Sequence, residues 1–246
     1  MKAICLLLSV FSLCLAYLAS AEAVENAVPQ IFKKYSTSCK ELNPKKSGVQ
    51  KIRIGNDKID VYCDVTIAGK GWLVIQRRVS VDTNFFRNWT SYEEGFGDLK
   101  GNFFIGLRNL NKIASLEPQE LYIELEDFSG ERRYAHYDLF NVGNVYSNYS
   151  LIQLGKYSGN AGDDLRYQLN QSFSTFDRDN DNSTLNCASR YRGAWWYNDC
   201  LHSNLNGVYL DGGYSDSELF AAGIIWGAFK GYTYSLKTVN IMVRPK

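Results

Sequence analysis

An alternating acidic segment is the part of the sequence whose residue types point most directly to chemistry. It runs Asp177-Arg178-Asp179-Asn180-Asp181-Asn182-Ser183-Thr184. Carboxylates at alternate positions of an irregular loop can direct oxygen atoms at one hard cation, and Ca²⁺ accepts roughly six to eight oxygen ligands. The EF-hand pattern has Gly at its sixth position and Glu at its twelfth, where this sequence has Asn182 and Ala188. The segment therefore predicts a calcium loop of another geometry, and a solvated acidic turn is the alternative.

The cysteines allow a disulfide framework. Cys5 and Cys14 lie in an N-terminal segment that we expect to be removed, which leaves Cys39, Cys63, Cys187 and Cys200. An even number of cysteines in an oxidising compartment predicts two disulfides, with three connectivities open. The nearest-neighbour choice is Cys39–Cys63 and Cys187–Cys200. A zinc site is the rival interpretation, and the absence of a C-x-x-C spacing argues against it.

The segment between Cys187 and Cys200 encloses the aromatic run Ala194-Trp195-Trp196-Tyr197. A disulfide that closes this short loop would constrain the chain and hold the acidic and aromatic segments together. A purely structural bridge is the alternative interpretation.

Catalytic and nucleic-acid-binding patterns are not found in the sequence. It contains no Gly-x-Ser-x-Gly elbow, phosphate-binding loop or zincin motif, the patterns that mark the common hydrolase and nucleotide sites. The net charge is +1, and basic residues cluster only in pairs such as Arg77-Arg78 and Arg132-Arg133. Nucleic-acid binding requires a concentrated basic field. We therefore expect neither an enzyme nor a nucleic-acid-binding protein.

A long, ordered series of motifs surrounds the acidic and aromatic segments. Towards the C-terminus it comprises residues 173–181, 186–188, 193–197, Cys200, 203–209 and 223–226. Upstream it comprises residues 72–78, 87–89, Tyr92, 95–97 and 106–107. Over roughly residues 38–245 these motifs resemble those of fibrinogen-related domains, and in character the sequence is most similar to ficolin- and tachylectin-type lectins.

The resemblance implies a fold of the α+β class with three subregions. An N-terminal part contains Cys39–Cys63, a central part holds a twisted antiparallel sheet flanked by helices, and a loop-rich C-terminal part holds calcium and the ligand pocket. The resemblance supports both nearest-neighbour disulfides. It gives Asp177 an outer or structural role and places Ca²⁺ on the side chains of Asp179 and Asp181 and the backbone carbonyls of Ser183 and Leu185.

The resemblance also implies a ligand pocket beside the calcium. Its wall would be formed by Tyr191, Asp199, Cys200, Leu201, Phe220, Ala221 and Tyr232. The family holds the peptide before the second cysteine, here Asp199–Cys200, in the cis form. In the lectin relatives aromatic rings at such positions enclose the methyl of an N-acetyl group. Leu201 stands where those lectins often have His, and simple loop packing is the alternative for the aromatic residues.

Two functions follow from the resemblance. The wall at Tyr191 and Ala221 is uncharged, which favours a secreted, calcium-dependent protein that recognises acetylated, N-acetylglucosamine-like sugars on microbial or cell surfaces, in innate immune recognition or agglutination. The alternative is a secreted protein-binding ligand or matrix factor of the angiopoietin-like type, with a receptor as its partner. A shallow sugar site would gain avidity from a homo-oligomer, for which residues 22–37 are the one obvious candidate.

Regular elements that would position these loops can be predicted mainly in the first two thirds of the sequence. The patterns predict strands over 59–65 and 72–77, a helix over 106–115, and a hairpin of strands 121–128 and 132–139 joined through 129–131. Regular patterns fade after about Gly155, and residues 234–243 form a final predicted strand.

The N-terminus and the sequons indicate the compartment. Residues 1–21 have the pattern of a secretory signal peptide; residues 22–37 are expected to form a short leader and residues 38–246 the domain, with no later segment apolar enough to span a membrane. N-glycosylation sequons begin at Asn88, Asn148, Asn170 and Asn182. Asn182 lies in the acidic loop, where a glycan would crowd the neighbouring pocket.

Overall fold

One antiparallel sheet forms the centre of the fold. A computed structural model describes residues 35–246, so the expected signal peptide and leader residues 22–34 lie outside the described range. The strands are β1 (Gly48–Ile54), β2 (Asp57–Asp64), β3 (Trp72–Arg78), β4 (Phe96–Gly97), β5 (Phe103–Phe104), β6 (Gln119–Glu126), β7 (Arg132–Val142), β8 (Leu151–Leu154), β9 (Tyr157–Gly159), β10 (Ser203–Asn204), β11 (Gly212–Gly213), β12 (Ile225–Trp226), β13 (Tyr234–Ser235) and β14 (Thr238–Pro245).

The helices are short. They are α1 (Cys39–Leu42), α2 (Trp89–Glu94), α3 (Leu107–Leu116), α4 (Cys187–Arg190) and α5 (Gly227–Lys230), with single 3₁₀ turns at Val145–Ser147, Arg166–Gln168 and Ser217–Leu219. The α+β expectation is confirmed. The predicted helix over 106–115 is α3, whose buried Leu107, Leu110 and Ile113 recur at helical spacing.

The main sheet has the order β1-β2-β3-β14-β6-β7-β8, and β4, β5 and β9 pair off this path. The last strand, β14, therefore lies in the middle, antiparallel to both β3 and β6. The predicted hairpin is confirmed as β6 and β7, because Leu121, Ile123 and Leu125 alternate as buried residues along β6. The opposite face of β6 carries polar and tyrosine side chains.

Two strand predictions are corrected by the structure. The predicted strands do not include β1, because only its last four residues alternate, the buried Ile52 and Ile54 with the charged Lys51 and Arg53. The final predicted strand is divided into β13 and β14. Strand β13 pairs with β11 in a separate two-stranded sheet, whereas β14 lies in the main sheet. Between them the Leu236 N–H donates to the Ile224 carbonyl.

Buried polar side chains connect the sheet to the loop-rich C-terminal part. The Gln76 amide donates to the Leu205 carbonyl at 2.9 Å and to the Asn206 side chain at 3.1 Å. The Arg78 guanidinium donates to the carbonyls of Leu205 and Gly207. The carbonyls of Leu205 and Gly207 have no partner in a neighbouring strand of the described part, and these side chains supply one. The irregular segment around Leu205 can therefore lie against the core without leaving these carbonyls unpaired.

Candidate binding recess and acidic loop

The structure brings the whole predicted pocket wall together in one recess of about 220 Å³. We call this concavity the recess; its lining residues are Tyr191, Asp199, Cys200, Leu201, Phe220, Ala221 and Tyr232. The rings of Phe220 and Tyr232 lie 5.8 Å apart between centroids at 36°, so they form one aromatic side of it. Gly227 leaves room for this arrangement, because a β-carbon there would lie 3.0 Å from the Tyr232 ring.

Asn204 holds two sides of the recess in place, and sequence reasoning did not single out this role. Its side-chain nitrogen donates to the carbonyls of Tyr191 at 3.0 Å and Ala221 at 3.2 Å. Its side-chain oxygen accepts from the Tyr197 hydroxyl at 2.7 Å. Asn204 is fully buried, and the sequence signal that could have indicated its role is its place in the motif 203–209.

The rim beside Cys200 has an aromatic support. The Tyr167 hydroxyl donates to the backbone carbonyl of Asp199 at 2.9 Å, and the Tyr167 ring stacks on His202 with 4.1 Å between centroids. The Asp199–Cys200 peptide is cis, as the resemblance implied. The Asp199 side chain forms no hydrogen bond or ion pair with other residues of the described part. It is the one acidic group on the recess lining.

Both predicted disulfides are present. Cys39 is bonded to Cys63, and Cys187 to Cys200. Cys187 begins α4, and Asn186 caps that helix by accepting a hydrogen bond from the Ser189 N–H at 2.7 Å. The second disulfide thereby connects α4 to the recess.

The acidic loop, residues 177–185, places two carboxylates side by side. The Asp181 carboxylate accepts from the N–H groups of Ser183 at 3.0 Å and Cys187 at 2.9 Å. Burial, together with the nearby Asp179 carboxylate, raises the pKa of Asp181 to about 6 although the backbone bonds lower it. Within residues 35–246 neither carboxylate has an ion-pair partner, so the loop concentrates negative charge that a cation would neutralise.

The donor set of this loop suits a hard cation. The described residues contain no group of three or more His, Cys, Asp or Glu side chains that could hold a metal ion. The predicted ligands are the Asp179 and Asp181 carboxylates and the Ser183 and Leu185 carbonyls, which are all oxygen atoms. Such a set fits Ca²⁺ completed by water, whereas structural zinc sites use Cys and His.

Asp177 has a structural role among the described residues. Its carboxylate accepts from the Trp89 N–H at 2.9 Å and from the Thr175 hydroxyl at 2.7 Å. The neighbouring Arg178 guanidinium lies 4.1 Å from the Trp89 ring centroid. Asp177 thus ties the acidic loop to α2.

Comparison with known proteins places this fold in one family. Residues 34–246 match the family described as the C-terminal globular domain of fibrinogen beta and gamma chains, and the protein belongs to it. It is 42% identical to human angiopoietin-related protein 7 over 215 residues, which are 85% of this sequence and 61% of that protein. It is 44% identical to chicken tenascin-R over 202 residues, which are 81% of this sequence and 14% of that protein.

A solved structure supports the same assignment. The fibrinogen-like globe domain of human ANGPTL6 superimposes with a TM-score of 0.82 at 38% identity, covering 87% of this sequence and 99% of that domain. The sequence spans less than two thirds of either curated relative. None of the helices within residues 35–246 has the length and apolar character needed to cross a bilayer.

The expectation of an acetyl-sugar lectin is wrong. Several of the most similar relatives are angiopoietin-related proteins and tenascins, which favours the alternative expectation of an angiopoietin-like protein ligand. The recess gives a physical reason for the difference. Leu201, where the lectin pattern often has His, offers an almost fully buried apolar side chain and no hydrogen bond to a sugar ring.

Proposed function

We propose that this protein acts outside the cell as a noncatalytic domain that binds a protein partner, such as a cell-surface receptor, at the recess. Its similarity to angiopoietin-related proteins supports a protein ligand. Its two disulfides support an oxidising compartment. The observation that carries the proposal is the recess itself, an aromatic concavity held on a cross-linked and hydrogen-bonded frame.

The recess has the chemistry of an interface hot spot. Tyr191, Phe220 and Tyr232 offer broad rings with few rotatable bonds, which gives contact area at a low entropic cost. Hot spots on protein surfaces combine such anchors with a pocket from which water is excluded. The unpaired Asp199 carboxylate at the edge adds a polar contact that would fix the orientation of a partner.

Calcium is part of this proposal. We place Ca²⁺ on the Asp179 and Asp181 carboxylates and the Ser183 and Leu185 carbonyls, where the bound ion would neutralise the two carboxylates. Asp181 also accepts from the Cys187 N–H. A restrained Asp181 would restrain Cys187 and, through the disulfide, Cys200 in the recess.

Partner binding can be tested on a panel of purified receptor ectodomains, with surface plasmon resonance on each positive. We expect specific binding that Tyr232→Ala weakens by about tenfold or more, as the loss of a central aromatic anchor does. Tyr146→Ala is the matched control, because that tyrosine is 94% exposed and lies outside the recess. Binding that Tyr232→Ala leaves unchanged, or a panel with no positive, would contradict the proposal.

Calcium binding can be tested separately, by calorimetry and by thermal unfolding with Ca²⁺ or with EDTA. A ligand at 100 times its Kd stabilises the folded state by about 2.7 kcal/mol, and Asp179→Asn should abolish that gain. Asp60→Asn, at an exposed ion pair with Lys51, is the control. An unfolding midpoint that is the same in Ca²⁺ and EDTA would remove calcium from the proposal but would leave the protein-binding test intact.

A further inference from the structure

A second concavity lies on the outer face of the main sheet, and it shares no residue with the recess. We call it the sheet groove; its volume is about 450 Å³, and its principal lining residues are Trp72, Glu120, Tyr122, Tyr134, His136 and Arg244. The side chains reach the groove because β3, β6, β7 and β14 are neighbours and alternate residues point outward.

Aromatic rings form the floor and one side of the sheet groove. Tyr122 and Tyr134 stack almost in parallel, with 5.2 Å between centroids and 5° between planes. The Trp72 ring lies 5.6 Å from Tyr122. Tyr134 is 37% exposed, so part of this aromatic ridge faces solvent and is available to a ligand.

The charged groups of the sheet groove neutralise one another. The Glu120 carboxylate accepts from Arg244 Nε at 2.7 Å and contacts His136 Nε2 at 2.8 Å. Burial alone would raise the pKa of Glu120, but these two partners hold it below its ordinary value. An ionised Glu120 is only an acceptor, so His136 Nε2 carries a hydrogen, and the other ring nitrogen, Nδ1, lies 3.1 Å from the Ser158 hydroxyl.

The groups left without a partner in the sheet groove can all donate a hydrogen bond, and the two tyrosine hydroxyls among them can also accept one. The hydroxyls of Tyr122 and Tyr134 form no hydrogen bond with any residue in the described range. Arg244 uses Nε for Glu120 and Nη1 for the Lys70 carbonyl, and its Nη2 makes no bond to a described residue. Each Glu120 oxygen and each His136 nitrogen already has one partner, so the lining offers few acceptors that are not engaged.

The free donors and the aromatic surface of the sheet groove indicate what kind of ligand would fit it. A fitting ligand presents flat apolar surface and many carbonyl acceptors but few donors. A sugar would bring many hydroxyl donors that need acceptors, and an anion would meet the Glu120 carboxylate. A proline-rich peptide fits, because proline has no N–H and a polyproline II helix leaves its carbonyls free for a partner. Aromatic-lined grooves are the usual docking sites for such peptides.

We propose that the sheet groove binds a proline-rich segment of a partner protein in the polyproline II conformation. The proline rings would lie against the Tyr122–Tyr134 ridge, and the two tyrosine hydroxyls and Arg244 Nη2 would donate to peptide carbonyls. The paired charges at Glu120 and Arg244 would close one end of the site. This binding is independent of partner binding at the recess.

The test uses the isotope-labelled protein and an acetylated, amidated oligoproline, with a Gly/Ser peptide of the same length as the control peptide. Two-dimensional NMR should show saturable shifts at amides around the sheet groove with oligoproline only. Tyr134→Ala should weaken binding by about tenfold, and Tyr134→Phe, which removes only the hydroxyl, by a smaller factor. Tyr146→Ala, a change at an exposed tyrosine outside the groove, should bind like the unmodified protein.

Several outcomes would overturn the proposal. These are no shifts at saturating oligoproline, shifts centred on the recess, equal shifts with the Gly/Ser peptide, or unchanged binding in both Tyr134 variants. Shifts at the sheet groove with N-acetylglucosamine or inorganic phosphate, but not with oligoproline, would assign it to another ligand class. The spectrum of Tyr134→Ala reports its folding, and Tyr134→Phe provides the readout if that variant does not fold.

Discussion

The Asp127 carboxylate lies 2.8 Å from the Lys230 ammonium and joins the turn of the central hairpin to the segment that carries Tyr232. The Asp127 side chain is fully buried, and it also accepts from the N–H groups of Ser129 and Glu131. Lys230 is the last residue of α5, and Tyr232 follows shortly after it. The hairpin turn and one side of the recess are therefore held by the same carboxylate.

We expect Asp127→Asn to destabilise the protein and lower its thermal unfolding midpoint by several degrees. The substitution preserves the size of the side chain but leaves one acceptor oxygen where both Asp127 oxygens now accept, and an amide N–H cannot accept from the Lys230 ammonium. Asp60→Asn, at the exposed Lys51–Asp60 pair, is the control and should shift the midpoint little. Calorimetry or circular dichroism measures both midpoints, and equal shifts would contradict a special role for Asp127.

Asp127 should also make stability depend on acid pH. Burial alone would raise its pKa, but hydrogen bonds from Lys230, Ser129 and Glu131 outweigh this effect and hold the pKa well below its ordinary value. A depressed folded-state pKa contributes stability that is complete above the unfolded-state pKa of about 4 and is lost progressively below it. Between pH 5 and acid unfolding, the midpoint should fall more steeply for the unmodified protein than for Asp127→Asn, and parallel curves would refute this explanation.

Helices and strands could be predicted from the sequence where apolar residues recur at the spacing of a helix or strand and are buried in the structure. The β6–β7 hairpin alternates along its length, and α3 carries Leu107, Leu110 and Ile113 at helical spacing. Strand β1 was missed because only its last four residues alternate between buried and charged side chains. The C-terminal segment was predicted as one strand, because residue types alone do not show that Leu236 bonds to Ile224.

The recess and the sheet groove differ in how far sequence could reveal them. The recess residues were found through motif register, and the structure brings them together. Its internal support was not found, because hydrogen bonds from Asn204 and Tyr167 have no periodic pattern. The sheet groove was missed because its residues come from four strands, and only the strand order brings Trp72 and Arg244 next to Tyr122.

Asn204→Asp should disrupt the recess more than its small chemical change suggests. The amide donates to the Tyr191 and Ala221 carbonyls, and a carboxylate would replace both donors with repulsion while leaving two carbonyls unpaired. Leaving buried polar groups unsatisfied costs about 1–3 kcal/mol each. Denaturant unfolding should show a loss of this order. Asn109→Asp is a control, because that side chain makes one hydrogen bond to its own helix region. A loss at Asn204 no larger than at Asn109 would argue against the support role.

The two disulfides should have similar effects on stability and different effects on calcium binding. The cysteines of the first disulfide are 24 residues apart in sequence and those of the second are 13 apart. Loop-closure entropy then predicts that each disulfide stabilises the folded state by about 3 kcal/mol. Of the four cysteines in these disulfides, only Cys187 donates its N–H to the Asp181 carboxylate. The double variant Cys187→Ala/Cys200→Ala should therefore lose calcium-induced stabilisation, and Cys39→Ala/Cys63→Ala should retain it. Calcium titrations of both folded variants measure this difference. Equal losses of calcium-induced stabilisation would mean that each disulfide affects calcium binding only through the overall stability of the protein.

Two of the sequons differ in what their asparagine side chains contact. Asn170 is exposed, and its side chain forms no hydrogen bond with the described residues. The Asn182 amide nitrogen donates to Gln171 at 2.7 Å and to Asn198 at 3.0 Å. A sugar on that nitrogen would take the place of one of these bonds and separate the loops beside the recess.

We therefore expect a glycan at Asn170 and none at Asn182. Sugars are attached before folding is complete, so molecules modified at Asn182 should fold poorly and be under-represented in secreted material. Glycopeptide mass spectrometry after secretion from a eukaryotic host measures occupancy at each site, and an occupied Asn182 in folded protein would contradict this expectation. Asn170→Gln should remove one glycan from the secreted mass, whereas Asn182→Gln should leave the mass of the attached sugars unchanged.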